Sequence, residues 1–184
     1  AKQVLQELLP LPPSMQKRYQ SIIGITYSIL GTCCQYTERF DQAMEYLAQS
    51  SRANPNDPVP LNTSAEVILT RNGSPDEALD YLNRAATVYQ KGKQALSSTH
   101  LGIRAWALAR KGENAEALLQ EMFQTANSQS PIMLANAYLD LGRVRLIQGN
   151  HNEARDAFHQ AIAIDSNGLI GQQARAMAAT IDPS

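Results

Sequence analysis

The residues able to do chemistry are few and scattered. His100, His151 and His159 sit far apart along the 184-residue chain, and His151-Asn152-Glu153 falls at a turn, where a solvated imidazole is the ordinary outcome. Asp156 and His159, three residues apart, could share one helix face, a spacing that makes surface contacts more often than half an active site. No HExxH metal-binding helix, glycine-rich phosphate loop or GxSxG nucleophile turn occurs. Catalysis is therefore not expected, nor is a cofactor or a bound metal. Cys33 and Cys34 are the only cysteines and are adjacent on an expected helix. Neighbouring helical side chains diverge, so a disulfide between them would distort the backbone. Free thiols, and with them a reducing, cytoplasmic setting, are the inference; a vicinal redox or metal pair is the other reading, without CxxC spacing or a nearby His to support it.

Composition narrows the partner classes. Hydrophobic residues make up 43% and charged residues 18%, which argues for a packed core over disorder. A net charge of −1 gives no broad attraction for nucleic acid or anionic lipid. The longest apolar stretch, 22–34, is broken by Gly, Thr, Tyr and Ser, and falls short of the roughly 18 apolar residues of a membrane span. Direct membrane insertion is not expected. The chain opens on Ala1, which suggests a processed form or an excised fragment, with any targeting signal outside it.

What the sequence does carry is a recurring order of side-chain sizes. Counting Ala135 as first, Tyr138, Leu141, Gly142, Ala154, Phe158 and Ala161 fall at positions 4, 7, 8, 20, 24 and 27, with a turn at Gly149-Asn150. From Gly24, Tyr27, Leu30, Gly31, Ala43, Leu47 and Pro55 repeat the order, with Ser50 where the last Ala would stand. Small residues at the eighth and twentieth positions let two helices approach closely while bulky neighbours fill the flanks. Ala78, Leu82 and Ala85 give a third copy with one extra residue in its turn, opened by the capping box Ser74-Pro75-Asp76-Glu77. The fourth is loose. Ala117 is its matching alanine, yet the strict later positions then hold Glu121 and Gln124, while Leu118, Leu119, Met122 and Ala126 suggest a register one residue away.

This pattern resembles the tetratricopeptide repeat, a helix-turn-helix unit of about 34 residues. The resemblance implies an all-α fold, a right-handed superhelical array of antiparallel helix pairs (an α-solenoid), with repeats at 24–57, 58–92, 98–130 and 135–168. Residues 1–23 would be an N-terminal helical segment, a remnant of an earlier repeat, with a long helical pattern from Ser14 onward. The connector 127–131 would lead into the last repeat, and 169–184 would form a closing helix and tail, with Leu169, Ile170, Ala174, Met177 and Ala178 facing the array.

The same resemblance implies a non-catalytic scaffold or adaptor, holding a peptide or helix of a partner protein in a concave groove lined by the first helices. Its inward positions, about the second, fifth, ninth and twelfth, hold Ile25, Ser28, Thr32 and Gln35; Asn62 and Glu66; Thr99 and Trp106; and Asn136, Leu139, Arg143 and Leu146. The set has few charges, which favours an uncharged or amphipathic partner. A subgroup of the family captures chaperone C-termini with a Lys, Asn and Arg clamp; here the matching positions hold Ser28, Thr32, Thr63, Thr99 and Ile103, so that role is not expected. Trp106 is either an exposed anchor or packing against a neighbouring repeat, and Arg143 either meets a partner carboxylate or pairs with Asp140. The alternative function is structural: self-assembly as a homo-oligomer, or a place inside a longer solenoid.

Overall fold

The computed structural model describes residues 1–128 and 130–181. Gln129, in the expected connector, and residues 182–184 of the expected tail lie outside the described residues. The described residues form eleven helices: α1 (Lys2–Leu8), α2 (Pro13–Arg18), α3 (Gln20–Tyr36), α4 (Phe40–Ala53), α5 (Val59–Thr70), α6 (Pro75–Lys91), α7 (Ser98–Arg110), α8 (Glu116–Asn127), α9 (Pro131–Ile147), α10 (His151–Ile164) and α11 (Leu169–Ile181). They divide into two compact units, Ala1–Ala95 and Leu96–Ser184. No described helix is long and apolar enough to cross a membrane.

Helix starts follow from their sequences. Ser74, Ser97 and Ser130 cap α6, α7 and α9, each side-chain oxygen accepting the backbone N–H three residues on, from Glu77, His100 and Met133. Each cap satisfies one of the amides that a helix start leaves unpaired. Pro75 and Pro131 occupy the first turn, where the missing N–H costs nothing.

The first helices of the four hairpins end in one way. In all four hairpin turns one residue takes a left-handed backbone: Glu38 (φ 57°), Asn72 (φ 59°), Gly112 (φ 75°) and Gly149 (φ 79°). Around each, the next N–H reaches the carbonyl five residues back: Arg39 to Cys34, Gly73 to Ile68, Glu113 to Leu108, Asn150 to Arg145. The left-handed residue itself donates to the carbonyl three back, as Glu38 does to Gln35 and Gly149 to Leu146. This pairing closes a helix while satisfying its last carbonyls, and it favours glycine at the left-handed position.

In the first unit α3 pairs with α4 and α5 with α6. A Cβ at Gly31 would lie 2.7 Å from Cγ of Leu47, itself fully buried beside Ala43, so the small residue at the eighth position is a steric requirement of the hairpin. Ser50, which departs from the repeat pattern, is buried and donates to the Gly24 carbonyl at 2.7 Å, tying α4 to α3. The expected long helix from Ser14 is instead broken at Tyr19 (φ −102°, ψ 12°) between α2 and α3. Tyr19 and Leu8 pack against a cluster of Leu5, Ile23, Tyr27 and Leu30, while Met15 stays exposed. The proline run after α1 leaves carbonyls unpaired, and the Gln16 amide donates to two of them, Leu9 at 2.6 Å and Leu11 at 2.7 Å.

In the second unit Leu139, Ala154, Phe158, Ala161 and Ala174 form a fully buried cluster of α9, α10 and α11, with Ile170, Met177 and Ala178 against it. Leu169, expected to face inward, is exposed. Asp165 accepts from the backbone N–H groups of Ile170 and Gly171 at 3.0 and 3.3 Å and so starts α11.

The loose repeat resolves differently from its expected register. Ala117 is exposed; the buried residues are Ala115, Leu119, Met122 and Ala126. They match Ala154, Phe158 and Ala161 when the register shifts by two residues, not one. In the first and last hairpins five residues separate the left-handed turn residue from the close-approach alanine (Glu38 to Ala43, Gly149 to Ala154), but only three do so here, Gly112 to Ala115. The connection is two residues short. Asn114 accepts the Glu116 N–H at 2.9 Å, so α8 begins later relative to its core residues than α4 or α10.

Candidate partner-binding surfaces

The sequence-expected groove residues divide by burial. In the first unit Ser28, Gln35 and Asn62 are buried, and Thr32 and Glu66 are half-buried. Thr32 donates its hydroxyl to the Ser28 carbonyl at 3.1 Å within α3. Asn62 donates to the Tyr89 phenol at 3.2 Å, joining α5 to α6.

In the second unit Leu139 is fully buried, Trp106 is 8% exposed, Arg143 is 7% exposed and Asn136 is half-buried. The Arg143 guanidinium lies 4.5 Å from the centroid of the Trp106 ring and pairs with Asp140 at 2.9 Å. Asn136 donates to the second Asp140 oxygen at 3.4 Å. The structure thus brings Trp106, Asn136 and Arg143 together around Asp140, a residue that sequence reasoning gave only as a pairing alternative. Gly102 on α7 makes room for it, since a Cβ there would fall 2.2 Å from an Asp140 carboxylate oxygen. The result is a buried polar seam between α7 and α9. Of the two readings of Trp106, packing is the one this placement describes, and Arg143 takes its Asp140 alternative.

A second ionic group sits nearby on the same unit. Arg145 of α9 grips both oxygens of Glu116 on α8, reaches Glu153 of α10 at 2.8 Å and donates to Gln148 at 2.8 Å. Hydrogen bonding from Arg145 holds the Glu116 carboxyl below its ordinary range. One arginine clamps three helices. His100, fully buried on α7, is pushed down to about 4, first by burial and then by the Arg104 charge. Among the described residues no group of three or more His, Cys, Asp or Glu is placed to hold a metal.

The surface that sequence counting reached only in part is on α3. Ile22, Ile25 and Ile29 are 48%, 50% and 50% exposed, and Cys33 and Tyr36 continue the line. Their spacing of three and four residues puts them on one helix face. The opposite face carries the core residues Ile23, Tyr27 and Leu30, so α3 is apolar on both sides, and no charged residue occurs from Gln20 to Tyr36. Val59, at the position of the next repeat that matches Ile25, is 50% exposed. Ile29 falls outside the four inward positions of its repeat, which is why counting positions misses it. Its signal is nonetheless present, in the second apolar stripe of a helix that needs one for its core.

Helix pairs closed by one turn geometry, two of them packed through a Gly-to-large contact, define the class: an array of helical hairpins. A family model described as "Tetratricopeptide repeat" matches residues 26–57 and 135–167, the two hairpins in which Gly31 meets Leu47 and Gly142 meets Phe158. Those segments are tetratricopeptide repeats in sequence and in structure. Among solved structures the chain is similar to YrrB, a TPR protein with an unusual peptide-binding site (14% identity, 100% of this chain and 92% of that one, TM-score 0.53). It is similar also to a chain of the APC/C hetero-tetramer Cut9-Hcn1 (16% identity, 91% of this chain and 32% of that one, TM-score 0.57) and to the MamA protein (21% identity, 86% and 82%, TM-score 0.48). No curated protein matches the chain in sequence.

Proposed function

We propose that the chain is a non-catalytic interaction scaffold that holds the apolar face of a partner protein's peptide or helix. The observation that carries this reading is the exposed line Ile22, Ile25 and Ile29 on a charge-free α3. Three half-exposed isoleucines on one helix form an apolar strip that water covers at a cost, and strips of this kind mark interaction sites. An amphipathic helix presenting residues at i, i+3 and i+7 would match their spacing. Thr32 and Glu66, the half-buried members of the expected groove set in this unit, would supply polar contacts at its rim. Ser28, Gln35 and Asn62 hold the shape beneath. In the second unit Thr99, Asn136 and Leu146 are the expected groove residues that keep some surface, while Trp106, Leu139 and Arg143 act by fixing α9 against its neighbours. The peptide-binding site of YrrB and the assembly of Cut9 with Hcn1 support an interaction role for a chain of this fold.

Selection of binding peptides from a displayed library tests this reading. Enriched peptides should carry apolar residues at helical spacing without charges between them, and Ile25→Glu with Ile29→Glu should weaken them. Burying the remaining half of two Ile side chains is worth about 2 kcal/mol, so the double variant should lose roughly 30-fold in affinity. Unchanged affinity in the folded variant, or self-association in place of peptide binding, would displace the groove reading.

A further inference from the structure

A crevice on the first unit, away from the α3 strip, is floored by Met44 of α4 and Leu61 of α5 and has a volume of about 290 Å³. Arg52 of α4 and Arg84 of α6 flank it, with the hydroxyls of Ser51 and Tyr81. Among the described residues lining it there is no carboxylate. Neither arginine has an acidic partner within 4.0 Å among the described residues, although Asp80 lies one helical turn before Arg84, where an ion pair would be easy to form. The Arg84 guanidinium instead lies 4.9 Å from the centroid of the Tyr81 ring. Stacking of this kind directs the planar fork and leaves its N–H edges available.

We infer that this crevice binds a phosphate group through Arg52 and Arg84. Two guanidiniums and two hydroxyls offer more donors than one carboxylate can accept, and they match the several terminal oxygens of a phosphate monoester. The volume sits at the lower edge of the usual range for ligand sites, roughly 300–1,000 Å³, which leaves room for one phosphate and a short tether. Met44 and Leu61 give that tether an apolar floor. The two arginines belong to different helix pairs, so an occupant would also bridge α4 and α6.

The test uses the full chain with the arginine Nε–H groups observed by NMR at constant ionic strength. Inorganic phosphate and a short phosphoserine peptide are titrated against sodium chloride. Both phosphate probes should give saturable shifts at Arg52 and Arg84. Arg52→Gln and Arg84→Gln should each weaken binding about tenfold, and Arg84→Lys, which keeps the charge and loses the fork, should recover part of that loss. Both arginines are exposed, so the variants should fold as the parent does, which circular dichroism verifies. Tighter binding of the peptide, with shifts at Met44 and Leu61, identifies a phosphorylated side chain as the occupant; equal or tighter binding of inorganic phosphate identifies a small phosphate. Shifts that sodium chloride reproduces, or that persist unchanged in both Gln variants, would overturn the site.

Discussion

Gly142→Ala tests whether the close approach of α9 and α10 sets the register of the last hairpin. Glycine inside a helix costs roughly 0.5–1 kcal/mol relative to alanine, so on an open face the substitution would stabilise the protein by that amount. At this position the new Cβ would lie 2.3, 2.5 and 2.8 Å from three atoms of the Phe158 ring. Carbon atoms pack at about 3.5–4.0 Å, so the ring has to retreat by about 1 Å or more. It has nowhere to go, because Phe158 is fully buried with Leu139, Ala154, Ala161 and Ala174 around it. Overpacking of this kind costs about 1–3 kcal/mol, which outweighs the helix-propensity gain and leaves a net loss of about 1 kcal/mol. On a Phe158→Ala background the side chain that the new Cβ would meet is gone, and the same substitution should stabilise by about 0.5 kcal/mol. Urea unfolding of the four proteins of this cycle, followed by circular dichroism, measures the coupling directly. Stabilisation by Gly142→Ala in both backgrounds would refute the packing argument.

Three other outcomes follow from the same structure. Glu38→Gly should stabilise by about 1 kcal/mol, because Glu38 holds a left-handed backbone at the position where the third and fourth hairpins have glycine; urea unfolding reads the sign. Arg143→Met should destabilise by about 3 kcal/mol, since it removes the guanidinium that pairs at 2.9 Å with the 1%-exposed Asp140 carboxylate; a loss within about 0.5 kcal/mol would mean that the seam is solvated. His100 makes stability depend on pH: its folded value of about 4 lies below the unfolded 6.5, so its contribution is complete above about pH 6.5 and is lost as pH falls toward 4. The gap between those two values corresponds to about 3 kcal/mol, and His100→Gln should remove that part of the acid dependence while the carboxylates keep theirs. Parallel pH profiles for the two proteins would contradict the burial of a neutral imidazole.

Most of the fold could be read from side-chain size at fixed spacing. Gly31 with Leu47, and Gly142 with Phe158, announce a close approach because only a glycine opposite a large residue fits two helices at that distance. The Ser74 cap was legible because it is local, as Ser and Glu three residues apart need nothing from the rest of the chain. The third hairpin was not. Its turn is two residues short, and where the second helix enters depends on how the chain returns to α7, which no local residue encodes. The surface followed the same division. That the first helices carry the groove positions follows from the repeat count, but the burial of Trp106 and Arg143 depends on Asp140 filling the space that Gly102 opens on another helix. The exposure of Ile29 was written in the sequence as a second apolar stripe on α3.

The most direct test of the interaction role is an NMR footprint of a selected peptide on the isoleucine δ-methyl groups of the full chain. Ile22, Ile25 and Ile29 should shift and show contacts to the peptide's apolar residues, while the buried Ile68 and Ile103 stay in place. A footprint that avoids all three α3 isoleucines would contradict the proposal that this face receives the partner.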